Sequence, residues 1–202
     1  QDSKRVIWIT AFYSAFSGRL PIALDEFIAL HPDIGFEFLP NDTPLDLAAG
    51  EADVEIRVTQ TIDDPTLICS KLNEVPFSLF VSKRYAARHG LPKSEADLAG
   101  HKFVGYDGRH TRNTLAIWLA ARIDPGQIVM TCDHTRGIEG AILSGVGLGV
   151  LPTSFGNDKP GILRCFDLPP EVSQSMWFLA NPAAYRRPEV KTFAAFFVPR
   201  YR

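Results

Sequence analysis

The sequence predicts an α/β fold arranged as two lobes. Three observations predict it. The first third alternates strand and helix in the order βαβαβ. The second half resumes the alternation around a helix that stops on a glycine just before a buried strand. No repeat, low-complexity tract or flexible linker separates the two halves.

Val6-Ile7-Trp8-Ile9 is a continuous apolar run, the pattern of a strand buried on both faces. A helix is expected over residues 16–30, with Leu20, Ile22, Ala23, Leu24, Phe27 and Ile28 apolar and Pro21 in its first turns. His31-Pro32-Asp33 ends it. Residues 34–39 form the second strand, 44–49 a short helix capped by Gly50, and 53–58 the third strand. Such alternation implies parallel strands with right-handed crossovers, and ligands then sit beyond the carboxyl ends of the strands. Those ends carry residues 10–14, 41–43 and 57–60.

Residues 66–72 and 77–81 read as strands. Ser82 caps a helix over 83–89 that Gly90 ends, and a helical turn over 94–98 follows. Residues 102–105 are a strand leading to Tyr106, and 114–122 an amphipathic helix. The strand 128–132 feeds the polar turn Asp133-His134-Thr135-Arg136, which opens a helix with Thr135 as its N-cap. Gly145 ends that helix, 146–151 is a buried strand, and Pro152 stops it. Residues 155–161 read as loop, 162–166 and 175–179 as strands, and 188–198 as the last helix. The expected lobes are 1–75, to which 177–202 return, and 76–176. The chain crosses between them over 74–77 and 172–176, with a ligand cleft between the lobes.

Bulk properties narrow the function. The formal net charge is −2, so no global basic field drives nucleic-acid binding. Three separated cysteines, each in a strand-like run, read as reduced, buried thiols rather than a disulfide framework. No apolar run approaches a membrane span, and the first residues enter a strand without a signal peptide, which together point to the cytoplasm. Residues 145–149, Gly-Val-Gly-Leu-Gly, are not a dinucleotide fingerprint, because those glycines follow a helix and precede a strand. The five histidines are dispersed without metal-ligand spacing, and no nucleophile elbow is present. The expectation is therefore a protein without metal, cofactor or catalysis.

Several landmarks, in order, carry a resemblance that covers nearly the whole chain. They are Val6-Ile7-Trp8-Ile9 with Leu20-Pro21 and Phe27; His31-Pro32-Asp33-Ile34; and residues 46–57, which fit D-L-x-x-G-x-x-D-h-x-I-R with h apolar. Residues 80–90, residues 97–101 and Gly145 to Pro152 complete the set. The sequence resembles the effector-binding domain of LysR-type transcriptional regulators. Arg57 and the Tyr85-x-x-Arg88-His89-Gly90 segment resemble the glycine-cleavage-activator branch. The chain starts about where the family's winged helix-turn-helix would end, so it reads as a truncated or stand-alone domain. Glu55 departs from the family pattern, which has a small residue there.

The resemblance implies Rossmann-like or flavodoxin-like lobes joined by two hinge strands, like type 2 periplasmic binding proteins. It implies a small-molecule effector between the lobes and a homodimer, or a tetramer, that packs helix 16–30 against helix 114–122 of a partner. DNA would be met only through an N-terminal domain absent from this chain. An extracytoplasmic solute-binding protein of a transport system shares the fold and is the alternative. A dimerisation module whose cleft is filled by Phe12, Tyr13 and Phe16 is a third reading.

The candidate effector contacts are Thr10, Tyr13, Ser14, Asn41, Asp42, Thr43, Arg57, Tyr106, His134, Thr135 and Arg136. Each has a plainer reading: capping for Ser14 and Thr135, turn chemistry for residues 41–43, and core packing with an edge hydroxyl for Tyr106. Arg57 can bind a carboxylate through two parallel hydrogen bonds, or pair with Asp53, Asp42 or Glu55. His134 and Arg136 have no structural need to be polar. Together with Arg57 they point to a carboxylate-bearing effector.

Overall fold

The computed structural model describes residues 5–12, 19–40, 45–107 and 114–201. They form two compact units, 1–75 with 174–202 and 76–173. In the first unit, strands β1 (Arg5–Ala11), β2 (Ile34–Pro40), β3 (Val54–Thr59), β4 (Ile68–Val75) and β10 (Gln174–Ala180) make one sheet in the order β2-β1-β3-β10-β4. β1 is parallel to β2 and β3; β10 runs antiparallel between β3 and β4. Helices α1 (Arg19–Leu30) and α7 (Pro188–Tyr201) each bury one apolar side against one face of the sheet. There Ile7, Ile9, Ile56 and Phe178 join Leu20, Phe27, Phe193 and Phe197. Phe27 and Phe193 meet edge-on at 5.2 Å, the geometry that aromatic quadrupoles favour.

The opposite face carries a smaller cluster of Leu47, Ala52 and Leu179, with Leu39 and Trp177 at its edge. That cover is partial. β1 is therefore not buried on both faces as its apolar run predicts: Ile7 and Ile9 are fully buried, while Trp8 is 45% exposed. Asp53 ties the start of the unit together. Its carboxylate accepts the Trp8 N–H at 2.9 Å and two bonds from Arg187 at 3.0 Å. Arg187 also donates to Glu189 and to the Val6 carbonyl. The short helix expected over 44–49 is only a turn at residues 47–50. Asp46 accepts the Ala49 N–H at 2.9 Å, and a side chain that takes a backbone donor competes with helix formation. The helix expected from residue 16 is described from Arg19; residues 16–18 lie outside the described residues.

The second unit holds an antiparallel sheet β8-β5-β9, from β5 (Phe77–Ser82), β8 (Gly149–Pro152) and β9 (Ile162–Asp167). A parallel pair joins β6 (Phe103–Tyr106) to β7 (Ile128–Cys132). Helix α2 (Lys83–His89) is capped by Ser82, whose hydroxyl accepts the Tyr85 N–H. Helix α3 (Thr114–Ala120) precedes β7, and α4 (Thr135–Ser144) follows it. The core gathers Phe80, Val104, Ile138, Ile142, Leu151, Phe155 and Ile162.

Two glycines shape the junction of α4 and β8. Gly145 turns left-handed at φ 81°, and its N–H returns to the last turn of the helix. A Cβ on Gly149 would lie 2.8 Å from Ile138 Cγ2 and 2.9 Å from Ile142 Cδ1, so only glycine lets helix and strand close up. The strand expected from residue 146 starts at Gly149, because residue 148 instead exchanges backbone hydrogen bonds with Lys102 and Val104. The loop expected over 155–161 begins inside a short helix, α5 (Thr153–Asn157), and α6 (Pro182–Tyr185) is also unforeseen. Asn181 caps α6 from Oδ1 and ties it to Leu47 O through Nδ2 at 2.7 Å. The three cysteines form no disulfide, but Cys69 is exposed where burial is expected. No helix among the described residues is long and apolar enough to cross a membrane.

Candidate functional site

In the first unit the candidates stand at the carboxyl ends of β1 and β3. Thr10 is buried and donates its hydroxyl to the Leu39 carbonyl at 2.8 Å, so it fastens β1 to β2. Arg57 lies two residues beyond Glu55, which puts both side chains on one face of β3. Nε of Arg57 donates to Glu55 Oε1 at 2.8 Å and Nη2 to Oε2 at 2.6 Å, a two-pronged pair. Of the acids weighed as partners, Glu55 takes Arg57, while Asp53 serves Trp8 and Arg187. Glu55 is 3% exposed, and the Arg57 side chain remains 25% exposed. The hydrogen bonds that Arg57 donates to Glu55, working against burial, raise the Arg57 pKa further, with smaller pulls from Cys69 and Asp64.

Trp177 is the cross-strand neighbour of Arg57, and its indole N–H donates to the Thr59 carbonyl at 3.2 Å. Sequence reasoning missed Trp177, which stands across from Arg57, and the weaker pull of Asp64. No local signal could have found Trp177, since the register of β10 on β3 is a long-range choice. Tyr13, Ser14, Asn41, Asp42 and Thr43 lie outside the described residues.

In the second unit β6 and β7 end side by side, with Tyr106 paired to Cys132. Chain order then delivers His134, Thr135 and Arg136 to the first turn of α4. The Tyr106 hydroxyl donates to the Val150 carbonyl at 3.2 Å and is hydrogen-bonded to Thr135. Burial pushes its phenol up to about 12, against the bond from Thr135. Tyr106 packs against the core, its plainer reading. Thr135 is not the N-cap that the sequence suggests. His134 holds that position with extended backbone and makes no side-chain cap, while Thr135 is the first helical residue. The reason is competition: the Thr135 hydroxyl reaches Tyr106, and His134 Nδ1 lies 2.5 Å from Asp133 Oδ1. Arg136 is exposed in the same turn. A helix start without a side-chain cap, next to a cation, suits an anion.

A hollow of about 390 Å³ in the second unit lies elsewhere, lined by Glu95, Leu98, Arg122 and Gln127 among others. Its donors are spent internally: Arg122 pairs with Glu95 at 2.8 Å, and Gln127 Nε2 donates to the Leu98 and His101 carbonyls. None of the described candidate residues lines it. Among the described residues no group of three or more His, Cys, Asp or Glu could hold a metal ion.

Comparison with known proteins bears on what this arrangement serves. The family model described as LysR substrate binding domain matches residues 1–202. An HTH-type transcriptional regulator of Xanthomonas campestris pv. campestris is 30% identical over 131 residues, 62% of this chain and 38% of the relative. The HTH-type transcriptional regulator CrgA of Neisseria meningitidis serogroup C is 28% identical over 123 residues, 60% of this chain and 40% of the relative. The matched stretches thus span about two fifths of these relatives. The regulatory domain of Neisseria meningitidis CrgA superposes with a TM-score of 0.80 at 18% identity, covering 98% of this chain and 100% of the other. The AmpR effector binding domain from Citrobacter freundii gives 0.79 at 17% identity, covering 98% of both chains. These likenesses extend the α/β architecture of two units to a type 2 periplasmic-binding-protein-like fold. Nothing among them favours the solute-binding-protein alternative.

Proposed function

This chain belongs to the LysR substrate binding domain family, the effector-binding part of LysR-type transcriptional regulators, and on that premise we propose that it senses a small carboxylate-bearing molecule. In this reading it works without catalysis, in the cytoplasm, and reports to DNA through a segment outside the chain. One observation carries the carboxylate. The first turn of α4 has no side-chain cap and gathers Thr135 and Arg136, with His134 at its N-cap position. A helix N-terminus beside a cation is favourable for an anion. In the first unit Arg57 adds the donors that Glu55 leaves unused. In the proposal binding acts by preferring one arrangement of the regulator over another.

We further propose a homodimer of α1 from one copy with α3 of the other. Exposed apolar side chains support that surface: Ile22 at 60% and Leu30 at 63% on α1, and Ile117 at 59% on α3. In sedimentation the wild type should run as a dimer, and Ile117→Glu should shift it toward monomer. A wild type that stays monomeric at micromolar concentration refutes this surface.

The effector is tested by thermal shift against amino acids, small dicarboxylates and aromatic acids. A ligand at a hundredfold its dissociation constant adds about 2.7 kcal/mol. The ligand-induced shift should shrink in Arg57→Ala and in Arg136→Ala, each compared with its own unliganded protein. Shifts produced only by uncharged molecules would overturn the carboxylate. A shift lost in Arg136→Ala but unchanged in Arg57→Ala would remove Arg57 from the effector's contacts.

A further inference from the structure

We infer that Glu55 is a positioning residue that makes Arg57 a charge-balanced hydrogen-bond donor, so that the effector meets Arg57 with an uncharged oxygen (carbonyl, amide or hydroxyl) and not with its carboxylate. The inference rests on the effector-domain reading and names what Arg57 can offer an effector.

The side-on edge of the guanidinium is already spent. Nε and one Nη2 hydrogen hold the two Glu55 oxygens at 2.8 and 2.6 Å. Those are the two parallel bonds that a ligand carboxylate would otherwise take. Glu55 has nowhere to turn if it loses them. On the same face of the sheet, Thr10 directs its hydroxyl to the Leu39 carbonyl, Leu179 is apolar, and Trp177 donates to Thr59. With 3% of Glu55 exposed, a ligand that pulled Arg57 away would leave a dry, unpaired carboxylate. A ligand carboxylate therefore gains one ion pair only by breaking another.

The charges agree. Glu55 pairs with Arg57 at contact distance, and Asp64 adds only the weakest pull. Asp64 itself is held by the Thr66 N–H at 2.8 Å and the Thr66 hydroxyl at 2.6 Å. A ligand carboxylate would find that charge already balanced by Glu55. An uncharged oxygen needs no spare charge. It can accept from Nη1 and from the second Nη2 hydrogen, and the quarter-exposed side chain leaves room for it.

The test reads Arg57 directly. In protein labelled with ¹⁵N-arginine, the Arg57 Nε–H resonance is identified by its loss in Arg57→Lys. Sodium acetate is titrated against sodium chloride at matched ionic strength, in wild type and in Glu55→Gln. We expect acetate to perturb the resonance saturably in Glu55→Gln, with an affinity at least about tenfold above that of the wild type, where the Nε–H stays bonded to Glu55. Equal responses in the two proteins, including none in either, overturn the inference. If Glu55→Gln does not fold, the wild type decides alone: an Nε–H that moves saturably with acetate overturns it, and one that exchanges slowly with solvent and ignores acetate supports it. Failure of the effector-domain reading would show separately, as a thermal-shift panel without hits.

Discussion

Replacing Arg57 with alanine should destabilise the first unit, quite apart from any effect on effector binding. The substitution removes both donors from a carboxylate that is 3% exposed. Breaking a fully buried pair by deleting one partner costs about 3–5 kcal/mol. Here the Arg57 side chain is itself 25% exposed, so water reaches part of the vacated space and the cost falls to about 2–3 kcal/mol. At roughly 2–4 °C per kcal/mol for a chain of this size, the melting temperature should drop by about 4–12 °C. Glu55→Leu added to Arg57→Ala should recover most of that loss, because the leucine would stand beside Leu179 on the same sheet face and no charge is stranded. Urea denaturation of the two single variants and the double variant completes the cycle. An Arg57→Ala protein within about 0.5 kcal/mol of wild type, or a double variant no better than Arg57→Ala, would refute the claim that Glu55 depends on Arg57.

Gly149→Ala should cost about 1–3 kcal/mol, because its new methyl group would press on Ile138 and Ile142 from inside 3 Å. Gly140→Ala in the facing helix α4 is the control, with no atom within 4 Å of the added Cβ, and should gain about 0.5–1 kcal/mol by urea titration. Acid should weaken the second unit through His101. Burial, then the nearby His89, lowers the His101 pKa, and Asp97 opposes them weakly. A histidine depressed in the folded state contributes stability that is present above its unfolded value of about 6.5 and is lost as pH falls through the lower folded value. The melting temperature should therefore fall between pH 7.5 and 5.5, and by less in His101→Asn; an identical pH slope in the two proteins would remove His101 from the account.

Local pattern carried much of this architecture. Apolar spacing and end signals are properties of short stretches, so α4 with its Gly145 stop, α2 with its Ser82 cap, and the β1-α1-β2 run could be read without the rest of the chain. The order of motifs from Val6 to Pro152 placed the family for the same reason. Helix α5 escaped because Thr153-Ser154-Phe155-Gly156-Asn157 is a poor helix former on its own terms. It is held by packing, with Gly156 pressed so close to the Phe80 ring that a Cβ would fall within 2.6 Å of it.

What only the tertiary structure decided is which polar group meets which. Arg57 had three acids within plausible reach, and its choice followed from Asp53 being occupied by Arg187, a residue 134 positions away. Thr135 looked like a cap until the fold set it beside Tyr106, from another strand. Trp8 looked buried until the partial cover of one sheet face left it in water. Sequence spacing determines which face of an element a side chain occupies. Its partner, and hence its charge state and spare hydrogen bonds, depends on strand register and on elements far along the chain, which no local pattern encodes.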